Sequence, residues 1–340
     1  MRAIWITKYG GPRVLAVREG PDPTPGPGQV RIRVRAAGLN FAEVMARQGL
    51  YPDAPKPPCV VGYEAAGVVD ALGEGVGPEL REGARVLTLA RFGAHAEALC
   101  VPARHAHAMP DQMTFEEGAA LPVVYVTAYH ILFRAAQLRP GARVLVHMAG
   151  GGVGIAAIQL CRTVPDVVVF GTASSSKHAF LRENGYDHCI DYRTEDYAAE
   201  VRRLTNGHGL DLVLDPLGGD DWKKGYDLLR PAGTLVAFGF ANMASGEKRN
   251  LLRVARQFLS VPRFSPMSLM DENRGVIGVN MGHLWHEPEM VTGELRELLS
   301  LYRAGKIKPT IDSVFKFDDV ANAHRRMLDR KNMGKVVLVP

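Results

Sequence analysis

Two rhythms of apolar and polar residues divide this chain. In the first hundred residues the runs are short, and Val30–Arg35 alternates apolar and basic side chains with period two, which is typical of a half-exposed strand. Gly67–Val69 and Ala84–Leu87 predict further strands, and the glycine-rich Gly73–Gly77 between them predicts a turn. The proline-rich Pro21–Gly28 predicts a loop. We therefore expect a mostly β amino-terminal part.

From about Thr114 to Leu295 the chain changes to short apolar runs that alternate with helical segments. This alternation predicts βαβ units, and hence a doubly wound parallel sheet with helices on both faces. The candidate strands are Arg143–His147, Val167–Gly171, His188–Ile190, Leu210–Asp215, Thr234–Phe238 and Val276–Asn280.

The carboxyl-terminal tail predicts a helix, a turn at Gly305–Pro309, a second helix and a final strand at Lys335–Val339. We expect this tail to return to the first part of the chain. A length of 340 residues also favours two domains, because single hydrophobic cores rarely grow so large. We predict one domain at 1–123, completed by 296–340, and a dinucleotide-binding domain at 124–295.

Composition narrows the possible functions. The chain has 41 basic and 36 acidic residues, a net charge of +5 without a dominant basic block, so nucleic-acid binding is not implied. The four cysteines are far apart and form no C-x-x-C pair, which argues against a disulfide framework or a cysteine zinc site. The amino terminus does not resemble a secretory signal, and we expect a cytoplasmic protein. The cysteines are Cys59, Cys100, Cys161 and Cys189.

Two segments raise the question of membrane contact. The most apolar stretch, Val144–Cys161, contains His147 and several glycines, and a buried strand followed by a buried helix explains it better than a bilayer span. The segment 248–259 predicts a basic amphipathic helix, which can rest on an anionic membrane but more often covers a cleft or a subunit interface. Its apolar face comprises Leu251, Val254, Ala255, Phe258 and Leu259, and its basic residues are Lys248, Arg249, Arg253 and Arg256.

A glycine loop lies between the candidate strand Arg143–His147 and a predicted helix at Ile155–Arg162. It reads Gly150-Gly151-Gly152-Val153-Gly154, one residue away from the G-x-G-x-x-G spacing. The loop still leaves no side chain where the backbone must approach a pyrophosphate, and it places free amides at a helix start. Because a strand precedes it and a helix follows, we predict a dinucleotide site rather than a simple tight turn.

The residues after the second strand predict which dinucleotide binds. NAD-binding units usually carry an acidic residue about 20 positions after the glycines, but the stretch Gly171–Lys177 contains none. The Ser174 hydroxyl and the Lys177 ammonium suit an anion, and we therefore predict NADPH, with its 2′-phosphate, rather than NADH. Ser174–Ser176 can also cap the helix that begins near Lys177, and both roles are compatible.

The same motifs carry a family resemblance. The glycine loop, Gly171–Ala173, Ile190–Arg193 and Asp215–Gly219 together resemble the medium-chain dehydrogenase/reductase superfamily, in its zinc-free quinone oxidoreductase (zeta-crystallin type) branch. This resemblance runs from Ala3 to Pro340 and implies a GroES-like domain beside a Rossmann domain. Within that branch the chain is most similar to the vesicle amine transport protein homologues, at Gly38–Phe41, Met45–Tyr51 and Ile311–Val314.

The resemblance also indicates an enzyme without zinc. Zinc-dependent relatives place a Cys after the equivalent of Gly38 and a His in a G-H-E motif, where this chain has Gly38–Asn40 and Gly62–Glu64. Asparagine and tyrosine are poor zinc ligands. The remaining histidine pairs lack an evident third ligand and are predicted to lie on the surface: His105 with His107, and His283 with His286.

Roles for individual residues follow from the resemblance. It implies that Asn40 and Tyr51 line the nicotinamide cleft, where Asn40 offers an amide donor and Tyr51 a phenol that donates a hydrogen bond or a proton. The branch often has Asp three residues after the Asn, whereas this chain has Glu43, and its extra methylene moves the carboxylate, so the resemblance assigns it no role and leaves a catalytic one open. The implied cofactor contacts are Thr127 at the nicotinamide, the amides of Gly151, Gly152 and Val153 at the pyrophosphate, Lys177 and Tyr192 at the adenosine phosphate, and Phe238 and Val279 beside the nicotinamide.

The resulting hypothesis is a metal-independent NADPH reductase of quinones or related enones, which the resemblance suggests is a homodimer that pairs near Val276–Asn280. Two alternatives stay open. An enoyl-thioester reductase would share the glycine loop and the absence of zinc. A cofactor-binding protein with little turnover could act mainly in lipid or partner binding.

Overall fold

The computed structural model describes residues 1–244, 246–247 and 249–340. The amino-terminal part consists mainly of strands. Its elements are β1 (Arg2–Ile6), β2 (Leu15–Glu19), β3 (Gln29–Leu39), α1 (Phe41–Gln48), β4 (Cys59–Val60), β5 (Glu64–Leu72), β6 (Arg85–Leu89), β7 (Ala98–Pro102) and β8 (Ala106–Ala108).

The middle of the chain alternates helices and strands. It contains α2 (Phe115–Ala120), α3 (Pro122–Tyr129), β9 (Arg143–Val146), α4 (Gly152–Cys161), β10 (Val168–Ala173), α5 (His178–Glu183), β11 (His188–Asp191), α6 (Tyr197–Leu204), β12 (Leu210–Asp215), α7 (Asp220–Asp227), β13 (Leu229–Ala237), α8 (Leu251–Leu259), α9 (Pro266–Glu272) and β14 (Gly275–Gly278). The tail adds α10 (Pro288–Arg303), β15 (Ile311–Lys316), α11 (Val320–Leu328) and β16 (Lys335–Val339).

The middle strands form one parallel sheet in the order β11-β10-β9-β12-β13-β14. Its central strand β9 is buried on both faces, because Val144 and Val146 pack beside helix α4 while Leu145 packs on the opposite face with Tyr197. Such strands read as continuous apolar runs, which is why each was visible in the sequence. The predicted doubly wound Rossmann-type sheet is confirmed.

A second large sheet has the order β15-β16-β3-β5-β6-β8, with β7 also paired to β3. In β3 the alternation has the predicted consequence: Val30 and Ile32 are fully buried, whereas Arg31 and Arg33 form ion pairs with Asp70. This mostly β unit confirms the expected GroES-like fold class. A small sheet of β1, β2 and β4 lies beside it.

The carboxyl-terminal tail returns to this second large sheet, where β16 pairs antiparallel with β3. The sequence prediction omitted β15, which lies between the two predicted helices and pairs parallel with β16. Helix α10 crosses the predicted domain boundary at residue 295. This return brings Lys335 of β16 next to the end of β3, where the candidate site begins.

Candidate cofactor and substrate cleft

A cavity of about 1590 Å³ lies where the carboxyl ends of the parallel strands face the mostly β unit. Open α/β sheets bind their ligands at this edge. All the residues that the sequence predicted as catalytic or cofactor-binding line this one cavity. They are Asn40, Tyr51, Thr127, Gly151, Gly152, Val153, Ser174, Lys177, Tyr192, Phe238 and Val279.

The glycine loop connects β9 to α4 and packs too tightly for side chains. A Cβ on Gly152 would lie 2.9 Å from Val124 Cγ1, and one on Gly154 would lie 2.3 Å from the carbonyl oxygen of Ala149. A Cβ on Gly150 would lie 3.0 Å from Lys177 Cδ, which belongs to a flexible chain. The bare backbone is thus open to a pyrophosphate group, and the loop fits the dinucleotide that its sequence predicts.

The start of α4 supplies backbone donors. The amides of Gly152 and Val153 lie in its first turn, where no intrahelical acceptor exists. The sequence also predicted the Gly151 amide as a donor, but this N–H donates to the Met148 carbonyl at 2.8 Å and closes the turn. Of the three predicted donors, the amides of Gly152 and Val153 therefore remain able to bind an anion at this helix start.

A basic pocket lies after β10, at the position predicted for the 2′-phosphate. Burial lowers the pKa of Lys177 to about 8, and Arg326, Arg193 and Arg330 lower it further while Asp312 opposes them. Its Nζ lies 2.5 Å from the carbonyl oxygen of Asn332. A partly buried ammonium among like charges gains strongly from a neighbouring anion.

Arg330 is a residue that the sequence reasoning missed. It follows α11, lines the same cavity and places its guanidinium 5.9 Å from the centre of the Tyr192 ring. The hydroxyls of Ser174 and Ser176 form a hydrogen bond at 3.1 Å, and Ser174 lines the same cavity. No local pattern links position 330 to position 177, so only the folded chain identifies Arg330.

Three predicted residues border the opposite end of the cavity. Thr127 lies on α3, and its hydroxyl donates to the Val123 carbonyl at 2.7 Å, which leaves the oxygen free to accept a hydrogen bond. Phe238 follows β13 and Val279 follows β14, and both also pack against the main core. Core packing and contact with the cavity are therefore both true of these two side chains.

Asn40 differs from its predicted role. Its Nδ2 donates to Glu64 Oε1 at 3.0 Å and weakly to Glu43 Oε1 at 3.4 Å, and its Oδ1 accepts from Lys335 Nζ. Both amide hydrogens are thus committed within the protein. Asn40 is 8% exposed, and its amide donates to two carboxylates in this structure, whereas the sequence predicted a donor that is free to meet a ligand.

The carboxylates around Asn40 form a buried network. Glu64 accepts from the Val123 amide at 2.6 Å and pairs with Lys335 Nζ at 2.5 Å. Glu43 accepts the backbone N–H of Asn40 at 2.7 Å. Burial raises the pKa of Glu43 to about 8 against the opposing charge of Lys335, so Glu43 is mostly protonated at neutral pH.

Tyr51 lies at the mouth of the cavity between the two parts of the chain. Its hydroxyl would lie 3.2 Å from a Cβ on Gly282, in the loop after β14. Burial raises the pKa of Tyr51, with Asp53 and Glu43 adding to the shift and Tyr63 opposing it. The phenol therefore keeps its proton at neutral pH and has an O–H that can donate a hydrogen bond.

The residues around Asn40 do not fit a zinc ion. Where zinc-dependent relatives have ligands, this chain has the amide of Asn40 and the phenol of Tyr63. The neighbouring carboxylate of Glu64 is already balanced by the ammonium of Lys335. A dication would meet this ammonium without gaining a thiolate or imidazole ligand. In residues 1–244, 246–247 and 249–340, no three His, Cys, Asp or Glu side chains form a potential metal site.

The histidine pairs differ from one another. His283 and His286 are exposed, as predicted, and His283 Nε2 lies 3.0 Å from Asp53 Oδ2 across the mouth of the cavity. His105 and His107, however, are partly buried and line the cavity, so their prediction as surface residues was wrong. His105 ends the connection before β8, and His107 lies within β8.

The predicted amphipathic helix is α8. Leu251, Val254 and Phe258 line the cavity, which supports the interpretation that this segment covers a cleft. Leu252 and Leu259 are 84% and 88% exposed on its outer side. Lys248 lies outside the described residues. None of the helices in the described part of the chain combines the length and the apolar composition that a bilayer crossing requires.

Comparisons with known proteins agree with this architecture. The chain matches the alcohol dehydrogenase GroES-like domain over residues 26–111 and the zinc-binding dehydrogenase family over residues 184–338. It is 50% identical to the synaptic vesicle membrane protein VAT-1 homolog of Homo sapiens, over 342 residues that cover 100% of this chain and 86% of the human protein.

Two solved structures are also similar. Quinone oxidoreductase of Escherichia coli, complexed with NADPH, has a TM-score of 0.88 and 28% identity over 100% of both chains. The CurK enoyl reductase has a TM-score of 0.85 and 28% identity, over 99% of this chain and 98% of that chain.

Proposed function

Because the chain belongs to the medium-chain dehydrogenase/reductase superfamily, in the quinone oxidoreductase-type branch near the VAT-1 homologues, we propose that it is an NADPH-dependent reductase. We infer that its acceptors are quinones or related α,β-unsaturated carbonyls and that it needs no metal ion. The observation that carries this proposal is the cavity that joins the glycine loop, a basic pocket and a phenol donor.

The cofactor assignment rests on charge. Lys177 and Arg330 place two cations beside Tyr192 at the end of the cavity where the 2′-phosphate of NADPH would lie. Cations and hydroxyls bind a phosphate by charge-assisted hydrogen bonds. The amides of Gly152 and Val153 would hold the pyrophosphate, and Thr127, Phe238 and Val279 would border the nicotinamide.

The assignment of the acceptor rests on the end of the cavity opposite the basic pocket. Bound NADPH supplies a hydride there, and this chain supplies the donor that polarises the acceptor. Tyr51 is protonated at the cavity wall, whereas the Asn40 amide holds Glu64 and Lys335 in place. Apolar side chains such as Leu50 and Phe240 form much of the wall around them, which suits a flat conjugated ring.

The direct test is a steady-state assay of NADPH oxidation. We expect turnover with 1,2-naphthoquinone and little with crotonyl-CoA. The reverse result would favour the enoyl-thioester reductase, a candidate supported by the structural similarity to the CurK enoyl reductase. Tight NADPH binding without turnover of either acceptor would favour a binding protein. Dialysis against a strong chelator should leave the activity unchanged, and a large loss would refute the metal-free mechanism.

Three further points remain proposals. We propose that 1–123 with 296–340 forms the catalytic domain and 124–295 the cofactor domain. We propose a homodimer that pairs through β14, which is an edge strand of the parallel sheet, because unpaired edge strands favour association with a second chain. All four cysteines are free thiols, which is typical of a reducing compartment such as the cytoplasm.

A further inference from the structure

The Tyr63 hydroxyl is a buried donor at the cavity wall. The side chain is 9% exposed and lines the cavity, and its Oη has no hydrogen-bond partner in the part of the chain that the structure describes. A buried hydroxyl without a partner costs roughly 1–3 kcal/mol, and native proteins rarely leave one. This donor therefore points to a group that enters the cavity.

Backbone conformations on both sides hold Tyr63 in place. Gly62 has φ of +107°, and a Cβ there would lie 2.6 Å from the backbone nitrogen of His95. Phe92 has φ of +113°, which a bulky side chain rarely adopts. The Phe92 ring packs 5.1 Å from the Tyr63 ring. Such strain persists mainly where function requires a fixed geometry.

Tyr51 lies beside Tyr63 and faces the same space. Their ring centres are 6.3 Å apart, with the ring planes at 78°. The Tyr63 hydroxyl lies on the donor side of Tyr51 and lowers its pKa as a hydrogen-bond donor would, yet the Tyr63 Oη has no partner of good hydrogen-bond geometry among the described residues. Two phenolic donors thus approach each other without being paired, and an acceptor oxygen between them would satisfy both.

We propose that Tyr63 and Tyr51 together donate hydrogen bonds to the carbonyl oxygen of the acceptor. This role rests on the proposed reductase function. The acceptor carbon would take a hydride from bound NADPH, so that a C–H bond of the nicotinamide breaks and NADPH is oxidised to NADP+, a C–H bond of the acceptor forms, and the displaced π electrons move onto the carbonyl oxygen. Fixed donors at that oxygen stabilise the developing negative charge, and a proton from water then neutralises it.

The electrostatics of both phenols suit donation rather than ionisation. Burial raises the pKa of Tyr63. Burial also raises the pKa of Tyr51. Both hydroxyls therefore keep their protons at neutral pH. Tyr63 becomes a catalytic residue that no sequence motif assigned, since its position attracted notice only as a poor zinc ligand.

The first test compares Tyr63→Phe with the matched control Tyr226→Phe. Tyr226 is also buried and its hydroxyl also lacks a partner among the described residues, but it lies outside the cavity, against Phe264. We expect Tyr63→Phe to lower kcat for 1,2-naphthoquinone about 10²-fold, as loss of one oxyanion donor does, with the Kd for NADPH unchanged. Tyr226→Phe should retain the wild-type kcat.

The stability of Tyr63→Phe to urea distinguishes a catalytic role of Tyr63 from a merely structural one. Removing an unpaired buried hydroxyl relieves a desolvation cost, so Tyr63→Phe should unfold at the wild-type urea concentration or a higher one. A loss of kcat together with a loss of stability would overturn the catalytic role. An unchanged kcat in an active enzyme would overturn it as well.

Binding of 4-nitrophenol gives a test that needs no turnover, because its oxygen resembles the reduced acceptor oxygen. Two donors should favour the bound phenolate, and Tyr63→Phe should raise the apparent pKa of bound 4-nitrophenol by about one unit, a tenfold loss of preference. If the wild-type protein reduces no acceptor, the reductase function fails, and this titration still decides the donor role. Identical titrations in both proteins would refute it.

Discussion

Lys177→Ala is expected to remove most of the preference for NADPH over NADH. The ammonium is partly buried near three arginines, and it would meet the 2′-phosphate that only NADPH carries. A hydrogen bond to a charged group contributes about 1.5–3 kcal/mol, which corresponds to roughly a 10–150-fold rise in the Kd for NADPH. NADH lacks this phosphate, so its Kd should change little.

The same lysine predicts how affinity depends on pH. Burial lowers the pKa of Lys177 to about 8 in the free protein, whereas a bound phosphate would raise it. The second pKa of a phosphate monoester is about 6, so the ligand charge stays constant above neutrality. As pH rises from 7 to 9 the free lysine loses its proton, and the Kd for NADPH should rise about tenfold. Binding of NADH should stay flat.

Fluorescence titrations of both cofactors at pH 7, 8 and 9 measure these effects. Lys177→Arg keeps the positive charge throughout and should abolish the pH dependence, while Lys316→Ala changes an exposed lysine and should match the wild type. Arg330→Ala should also weaken NADPH selectively. Equal weakening of both cofactors in Lys177→Ala, or a flat wild-type pH profile, would refute the assignment of the phosphate pocket.

Three more predictions follow from buried groups. Lys335→Met leaves the Glu64 charge unpaired and should lower the free energy of unfolding by about 3–5 kcal/mol, measured by urea; adding Glu64→Gln should restore part of it. Gly154→Ala should abolish cofactor binding because its Cβ meets backbone at 2.3 Å, whereas Gly150→Ala meets only a flexible lysine chain and should be milder. Burial raises the pKa of Glu43 to about 8. As the pH rises from 4.5 to 8, the free energy of unfolding of the wild type should therefore fall relative to that of Glu43→Gln, by at most about 1.4 kcal/mol per pH unit. Parallel pH profiles of the two proteins would contradict this.

The parallel sheet could be predicted because its central strands are buried on both faces and its strands are separated by helices. Each candidate strand in 143–280 is present, although β13 begins earlier than expected, at Leu229. The strand β15 was harder to foresee, because Ile311–Lys316 is short and pairs with β16 rather than with a sequence neighbour. Local periodicity carries no information on such a partner.

The candidate site likewise contains residues that the sequence could identify and residues that it could not. The glycine loop and Lys177 lie within one βαβ unit, and short-range sequence context identifies them. Lys335 contacts Asn40 across 295 positions of the chain, and Arg330 reaches Tyr192 from the tail. These contacts depend on the return of the tail to the mostly β sheet that contains β3. The sequence predicted that return, but it could not show which side chains would meet.

The buried Asn40–Glu64–Lys335 network also bears on which acceptors the enzyme can reduce. A zinc ion would place a dication at the acceptor oxygen, whereas the ammonium of Lys335 is held between Glu64 and Asn40 and is balanced by a carboxylate. In the proposed reaction, neutral phenols such as Tyr51 would polarise the carbonyl group of the acceptor. Hydrogen bonds between neutral groups are roughly half as strong as charge-assisted ones. A quinone or enone depends less on such donors than a simple ketone does, because it spreads the incoming charge over its own conjugated system. The charge balance of the site is therefore consistent with the proposed substrate class.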